Sequence, residues 1–396
     1  MLARVAYVLL KSPLSPSIGF FSSTRDATAL FSAKHLNIAI IFYIGIVLLS
    51  LFSLSPIYPS DSVLKVVMVL SYFLVFYFLE RYVFIKKKYR LNFVFFIGAI
   101  FACGYTLILM VHVLSFFVPL SGSVALLHYH GIAKMGRINL FDGCNGSAVN
   151  SALLLFIFIN LFVNSSKEMS SRLKKISLYY IVIFLIALYL SYSRISYIAF
   201  TIVGFYCAQL VWQQKKSKWV FICSVLLFFV LAYVFDTKLQ NRFILSSVLP
   251  GFGSAYWERM NIWTAAWNYI TSHMNIKEFI IGVGPNNFFN YIHYSTSENQ
   301  YLLELIEKGI LGLISYVALV CSFTYFGYRC YRSSYISHIG KGLGLALFAS
   351  IFFMLLHGFL ASQFRSSAPF LIVMLAAYLV RELKDANSKD YAPGKT

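Results

Sequence analysis

Long apolar runs dominate this chain and leave it one solvent in which to fold. Runs of about 20 apolar residues, the length that crosses a hydrocarbon core, recur from residue 36 to residue 381 with few breaks. Hydrophobic residues make up 59% of the 396 and charged residues only 12%, so a water-soluble fold could not cover the apolar surface. Spans are expected at about 36–54, 62–79, 92–118, 146–164, 176–191, 195–212, 219–235, 301–327, 342–361 and 367–381. The prediction is an all-α integral membrane protein of about ten transmembrane helices, one polytopic membrane domain over residues 1–396. The apolar runs are continuous rather than alternating, which excludes a transmembrane β-barrel. Pro56, Pro59, Pro119, Pro250 and Pro285 all fall between the expected spans, where a missing N–H costs least.

The net charge of +19 would suggest nucleic acid as the partner of a soluble domain. Its distribution points elsewhere, and no nucleic acid is expected. With the N-terminus inside and spans alternating, the six cytoplasmic segments together with Arg381 hold 23 of the 33 Lys and Arg. The outer segments hold eight: Lys134, Arg137, Arg194, Lys238, Arg242, Arg259, Lys277 and Arg365. Lys65 and Lys308 lie within spans. This is the basic bias of cytoplasmic loops, and it predicts both termini cytoplasmic. The two long loops, about 119–145 and 236–300, are then periplasmic. The opening MLARVAYVLLKSPLSPS has an apolar run too short for a signal peptide and is expected to stay as a cytoplasmic tail. Six cysteines show no CxxC spacing, and only Cys144 falls in a long outer loop, so no structural disulfide is expected. No P-loop, HExxH or CxxC cluster appears, which argues against ATP hydrolysis and structural zinc. Neither a cofactor nor a metal is expected.

Topology accounts for the inner cations but not for the outer arginines. Arg194 sits in LSYSRISY, a hinge of almost no length between two apolar runs. A hairpin that tight holds a guanidinium at the outer membrane surface, either snorkelling to lipid headgroups or binding an anionic group. In the second loop Arg242 lies in NRF and Arg259 in AYWERMNIWTAAWNYI. Trp257, Met260, Trp263, Ala266, Trp267 and Ile270 recur there at helical spacing, reading as an amphipathic helix lying on the membrane face. An interfacial aromatic belt is the plainer reading; aromatic faces also stack on sugars.

FIIGVGPNNFFNYIHYSTSENQYLLELIEKGILGL follows. Gly282 and Gly284 punctuate a turn before Pro285. A polar run through Asn286, Asn287, His293, Ser295, Ser297, Glu298 and Asn299 leads into a helix that Ser297 is placed to cap. Glu298 then lies near a helix N-terminus, where a carboxylate is stabilised; it reads as a cap or as a general base. Glu304 and Glu307 fall one turn apart, with Lys308 four residues after Glu304, and are expected to form an internally neutralised structural cluster. His112 and His357 read as satisfied helix histidines. His128 and His130, in YHYHG, are two ligands, too few for a metal site.

Taken together, SYSRISYIAF, ERMNIWTAAW, IIGVGPNNF and ENQYLLELIEKGILGL resemble the bacterial O-antigen polymerase/ligase superfamily. The likeness is strongest over about residues 190–315. The family's Ser-Arg hairpin corresponds to Ser193 and Arg194, its Arg-x-x-x-Trp segment to Arg259 through Trp263, and its Gly-x-Gly turn to Gly282 and Gly284. Glu307, Gly309 and Gly312 fit the family's Glu-x-Gly-x-x-Gly stretch. The ligase branch commonly carries His-Asn before Tyr-Leu, whereas this chain has Glu298-Asn299-Gln300-Tyr301-Leu302. That departure tilts the resemblance to the polymerase branch; His293, five residues before Glu298, keeps the ligase reading open.

The resemblance implies a metal-independent glycosyltransferase of the inner membrane using undecaprenyl-diphosphate-linked oligosaccharide. Membrane lipid and a chain-length regulator protein are further implied partners. Arg194 and Arg259 would hold the diphosphate, with Arg242 in support. Glu298 would be the base, with His293, Asn299 and Trp263 contacting substrate. A lipid-linked oligosaccharide flippase is the alternative from another class, and would place charge in a midplane cavity.

Overall fold

The computed structural model describes residues 24–53, 59–115, 117, 143–164, 168–191, 193–212, 254–292, 299–358 and 368–390. All regular structure among them is helical. In chain order the elements are α1 (Thr24–Leu49), α2 (Pro59–Phe78), α3 (Lys87–Leu114), α4 (Gly143–Asn164), α5 (Ser171–Leu190) and α6 (Arg194–Trp212). They continue with α7 (Ser254–Ser272), α8 (Ile276–Ile281), α9 (Phe288–Ile292), α10 (Gln300–Arg332), α11 (His338–Gly358) and α12 (Ala368–Asp390). Among the described residues, seven helices are long and apolar enough to cross a membrane, from Phe31–Phe52 to His338–Gly358. Each coincides with an expected span. The sixth expected span meets α6, whose apolar stretch Ile195–Cys207 is shorter, and the tenth meets the first half of α12. The seventh, 219–235, lies outside the described residues.

Lipid is the solvent these helices are built for. Phe31, Leu64, Phe78, Phe96, Met110 and Ile202 are large, apolar and exposed, while other faces of the same helices pack into one extensive core. A helix apolar all round belongs in a bilayer. α4 lies deepest, nearly every described side chain from Ser147 to Leu161 being buried. Two of its polar side chains are absorbed locally: Asn160 donates to the Phe156 carbonyl (2.8 Å) and Asn164 to the Asn160 carbonyl (3.1 Å). Where α10 crosses α11, Gly327 and Gly344 let the two backbones touch. A Cβ on Gly327 would fall 2.7 Å from the Phe348 nitrogen; small residues serve membrane helices in this way because close approach replaces the hydrophobic drive.

The bundle has two chemically distinct ends. At one, Arg90 pairs with Asp385, and Lys384 with Glu80 at 2.9 Å. Nearby the Ser337 N–H donates to Glu382 (3.0 Å), and the His338 and Ile339 N–H groups donate to Glu168 (3.2 and 3.3 Å). This end joins four of the segments expected to be cytoplasmic. At the other, α2 begins, α10 begins and α11 ends.

The decisive irregularity is in α10. Its helical path breaks at Gly309 (φ 68°, ψ −170°). The 23 residues from Ile310 to Arg332 already suffice for a span of about 20 residues. The turns before the break therefore have room to lie at the membrane edge. A break orphans carbonyls, and at membrane depth such backbone persists only when protein covers it. Here the turn after α8 covers it: the Val283 N–H donates to the Ile306 carbonyl and the Gly284 N–H to the Glu307 carbonyl, both at 2.9 Å. Gly282 (φ 81°) and Gly309 lie against one another's strands. A Cβ on Gly282 would sit 2.3 Å from the Glu307 carbonyl group, and one on Gly309 2.3 Å from the Ile280 oxygen.

Gly309→Ala is expected to lower the thermal unfolding temperature of the purified protein sharply. A Cβ in this positive-φ, extended-ψ backbone region, used essentially by glycine alone, costs about 1–3 kcal/mol, and the collision with Ile280 adds to it. Gly45→Ala is the control, since its Cβ would meet nothing within 4 Å; it should unfold at or slightly above the wild-type temperature.

Candidate functional site

Residues 254–292 fold into a small helical cap on the start of α10. In α7, Ile262 and Ala266 are buried. They join Val283, Phe288, Ile292, Leu303 and Ile306 in a separate apolar cluster, with Trp263, Tyr269 and Ile270 packed against it. The expected amphipathic helix is therefore present, but its stripe divides. Trp263, Ala266 and Ile270 face inward, whereas Trp267 is 59% exposed. Helical phase explains the split: Trp267 follows Ala266 by one position, which turns it about 100° away from the packed side.

Local chemistry fixes the rest of the cap. α8 starts in a reciprocal capping box, the Glu278 N–H donating to Asn275 (2.9 Å) and the Asn275 N–H to Glu278 (3.1 Å). Burial and the nearby Glu278 carboxylate raise the Tyr269 hydroxyl well above its ordinary pKa. In the GVGPNN turn, Ser62 of α2 donates to the Pro285 carbonyl at 2.5 Å, and Asn287 donates to the Val283 carbonyl at 3.1 Å and to Ser62 at 3.4 Å. α2 and α10 thus hold the turn from two sides.

α10 is capped by Asn299, whose Oδ1 accepts from the N–H groups of Tyr301 (2.9 Å) and Leu302 (3.1 Å). Ser297, the expected cap, lies outside the described residues, as do Glu298, His293 and Arg242. Glu298 is the residue next to this cap in the chain. Asn299 owes one oxygen to the helix start.

Below the cap sits a buried charge cluster. Glu304 and Lys308 pair at 2.5 Å, 1% and 2% exposed. Gln300 donates to Glu304 (2.8 Å), and Lys308 donates to the Tyr43 hydroxyl of α1 (3.0 Å). Glu307 stands 3.7 Å from Lys65 of α2. The expected i,i+4 pair is observed. The Glu307–Lys65 pair and the role of Tyr43 escaped the sequence reading, although two acids and two lysines inside apolar spans were a signal that they neutralise one another. Gly312 leaves space for this pair, since a Cβ there would fall 2.2 Å from that of Lys308.

Arg194 is the first residue of α6, after a turn of three residues from α5. The hairpin is as short as expected, and serines make it: Ser191 donates to the Leu188 carbonyl (2.6 Å), and the hydroxyls of Ser193 and Ser196 are 2.9 Å apart. The Tyr197 hydroxyl ties back to the Tyr189 carbonyl. The Arg194 side chain is outside the described residues, as are those of Trp257 and His112. Arg259 is described, half-buried on α7 one turn before Trp263.

One expectation is corrected. His357 is not a satisfied helix histidine: it is 1% exposed, and neither ring nitrogen has a hydrogen-bond partner among the described residues. The Trp263 Nε1 is likewise buried without a partner. His128 and His130 lie outside the described residues, and among those described no group of three metal-ligating side chains occurs.

Residues 179–317 match the family model described as O-antigen ligase. The match begins in α5 and ends in the first spanning turns of α10, so it takes in the hairpin, the helical cap and the α10 half of the charge cluster. No curated protein matches the chain.

Glu304→Ala should cost about 3–5 kcal/mol, the range for stranding one buried charge. Glu304→Leu combined with Lys308→Leu should recover most of that loss. Thermal unfolding of the two variants checks both, and equal destabilisation would show that the cluster matters for more than charge balance.

Proposed function

We propose that this chain, whose residues 179–317 match the family model described as O-antigen ligase, is a member of the O-antigen ligase/polymerase superfamily and a polysaccharide polymerase of the inner membrane. It transfers a growing glycan from undecaprenyl diphosphate to a lipid-linked repeat unit on the periplasmic face. The observation that carries the reading is the clasp of the GVG turn onto the break in α10. It seats Arg259 and Trp263 over the end of the bundle where α10 begins, one residue from Glu298 in sequence.

The chemistry fits that placement. The leaving group is a diphosphate at the membrane surface, and guanidinium forks match its oxygens bidentately while staying charged at any relevant pH. Negative charge grows on the diphosphate as the glycosyl bond breaks, and cations fixed in advance stabilise it. Arg259 and Arg194 take this role, with Arg242 in support. The acceptor hydroxyl gives its proton to Glu298, with Asn299 next to it in sequence and His293 five residues earlier. The diphosphate–sugar bond is already activated, so the reaction needs neither ATP nor a metal. The Glu304–Lys308 and Glu307–Lys65 pairs are neutral within themselves, which supports an enzyme over a flippase with a charged midplane cavity.

A ligase that moves the glycan to lipid A–core is the second reading, favoured by the description of the matching family. A deletion strain separates the two: loss of a polymerase leaves single repeats on the core, and loss of a ligase leaves none.

Purified protein incubated with synthetic lipid-diphosphate repeat units should yield longer glycans on a gel. Arg259→Lys and Arg194→Lys should each reduce elongation about 100-fold or more, the scale of losing one preorganised contact to developing charge, while the protein still inserts. Glu298→Gln should stop elongation as well. Wild-type chain length from both lysine variants would remove the proposed diphosphate grip.

A further inference from the structure

Nothing in the fold accounts for the ring nitrogens of His357. The residue ends α11 and lies near-parallel to Phe353, with centroids 5.5 Å apart and planes at 27°. Its Nδ1 and Nε2 are both buried and unpartnered among the described residues. Leaving a buried polar group unpaired costs about 1–3 kcal/mol, and a phenylalanine would fill similar space without that cost. Natural structures keep such groups rarely and for a reason.

The position of the ring gives the reason. Two residues earlier, the Leu355 carbonyl accepts from the Tyr301 hydroxyl at 3.1 Å. The end of α11 therefore abuts the first turn of α10, beside the Asn299 cap. α7, which carries Arg259, packs on the same turns of α10 through Ile262, Ala266, Leu303 and Ile306. One turn along α7, Trp263 holds a second buried N–H without a partner.

We propose that His357 binds a sugar hydroxyl of the lipid-linked substrate, next to the diphosphate held by Arg259. The inference rests on the glycan-transfer reading and adds to it the residue that reads the sugar. Phosphate oxygens at neutral pH chiefly accept hydrogen bonds, which suits the guanidinium of Arg259 and the indole N–H of Trp263. A neutral imidazole offers one donor and one acceptor. A diphosphate satisfies only its donor. A sugar ring, whose hydroxyls both donate and accept, satisfies both nitrogens. Donors from Arg259 and Trp263 with a donor–acceptor pair from His357 complement a glycosyl phosphate more fully than a bare phosphate.

The test uses the full chain in nanodiscs with two probes: undecaprenyl diphosphate alone, and the same lipid bearing its repeat oligosaccharide. Thermal unfolding is measured with and without each probe, alongside elongation kinetics. Wild type should be stabilised by both probes, and more by the one bearing sugar. His357→Phe should unfold at or above the wild-type temperature without a probe and keep the shift from the bare lipid. It should lose the sugar-dependent part, with a KM for the repeat unit raised about tenfold, the scale of one or two lost hydrogen bonds. His357→Gln, which restores a donor and an acceptor, should regain part of that affinity.

An undiminished sugar-dependent shift in His357→Phe overturns the proposal, and so does equal loss of both shifts or a wild type with no sugar-dependent shift. If His357→Phe does not unfold cooperatively, the same comparison in His357→Met decides. A wild type that binds the sugar-bearing probe yet makes no longer glycan would defeat the polymerase reading alone, leaving His357 to be judged on its shift.

Discussion

Two backbone hydrogen bonds, from Val283 and Gly284 to the carbonyls of Ile306 and Glu307, hold the helical cap to the start of α10. They solve one problem for each partner. A helix broken at the membrane edge needs donors for the carbonyls it strands, and a loop outside the bilayer needs an anchor with a fixed orientation. Only glycine fits on either side of the seam, because Gly282 and Gly309 both have left-handed backbone and almost no clearance. The orientation of α7, and with it the placement of Arg259, follows from that seam and from the apolar cluster packed beside it.

The charges divide into two populations with separate duties. Glu304, Lys308, Glu307 and Lys65 neutralise one another within the bundle and tie α1 and α2 to α10. Arg259 lies on α7, in the cap. At the opposite end basic residues are held in pairs such as Lys384–Glu80.

What the sequence revealed follows the range of each interaction. A bilayer imposes span lengths directly on hydropathy, so seven expected spans meet long apolar helices. The Glu304–Lys308 pair is an i,i+4 contact and was legible for the same reason. Gly282 and Gly284 announced a turn, but not that it would clasp a second glycine 27 residues later, because that is a tertiary contact. Lys65 and Glu307 are 242 positions apart, and only their shared need for a counter-charge linked them. The cap of α10 was ambiguous because Ser297 and Asn299 are both competent cap residues two positions apart. Trp267 shows the limit of pattern reading: several stripes can be drawn on an aromatic-rich helix, and packing chooses one. His357 looked ordinary because no local pattern reports whether a ring nitrogen finds a partner.

The link from Ser62 to Pro285 and the pair from Lys65 to Glu307 have a consequence for the order of events during synthesis. The second helix enters the membrane long before its partners leave the ribosome. Until α10 emerges, Lys65 has no carboxylate, the turn has no seat and the cap has nothing to rest on. A half-made chain therefore lacks the cap and its seat, and this end of the bundle assembles only after most of the polypeptide has been threaded into the bilayer.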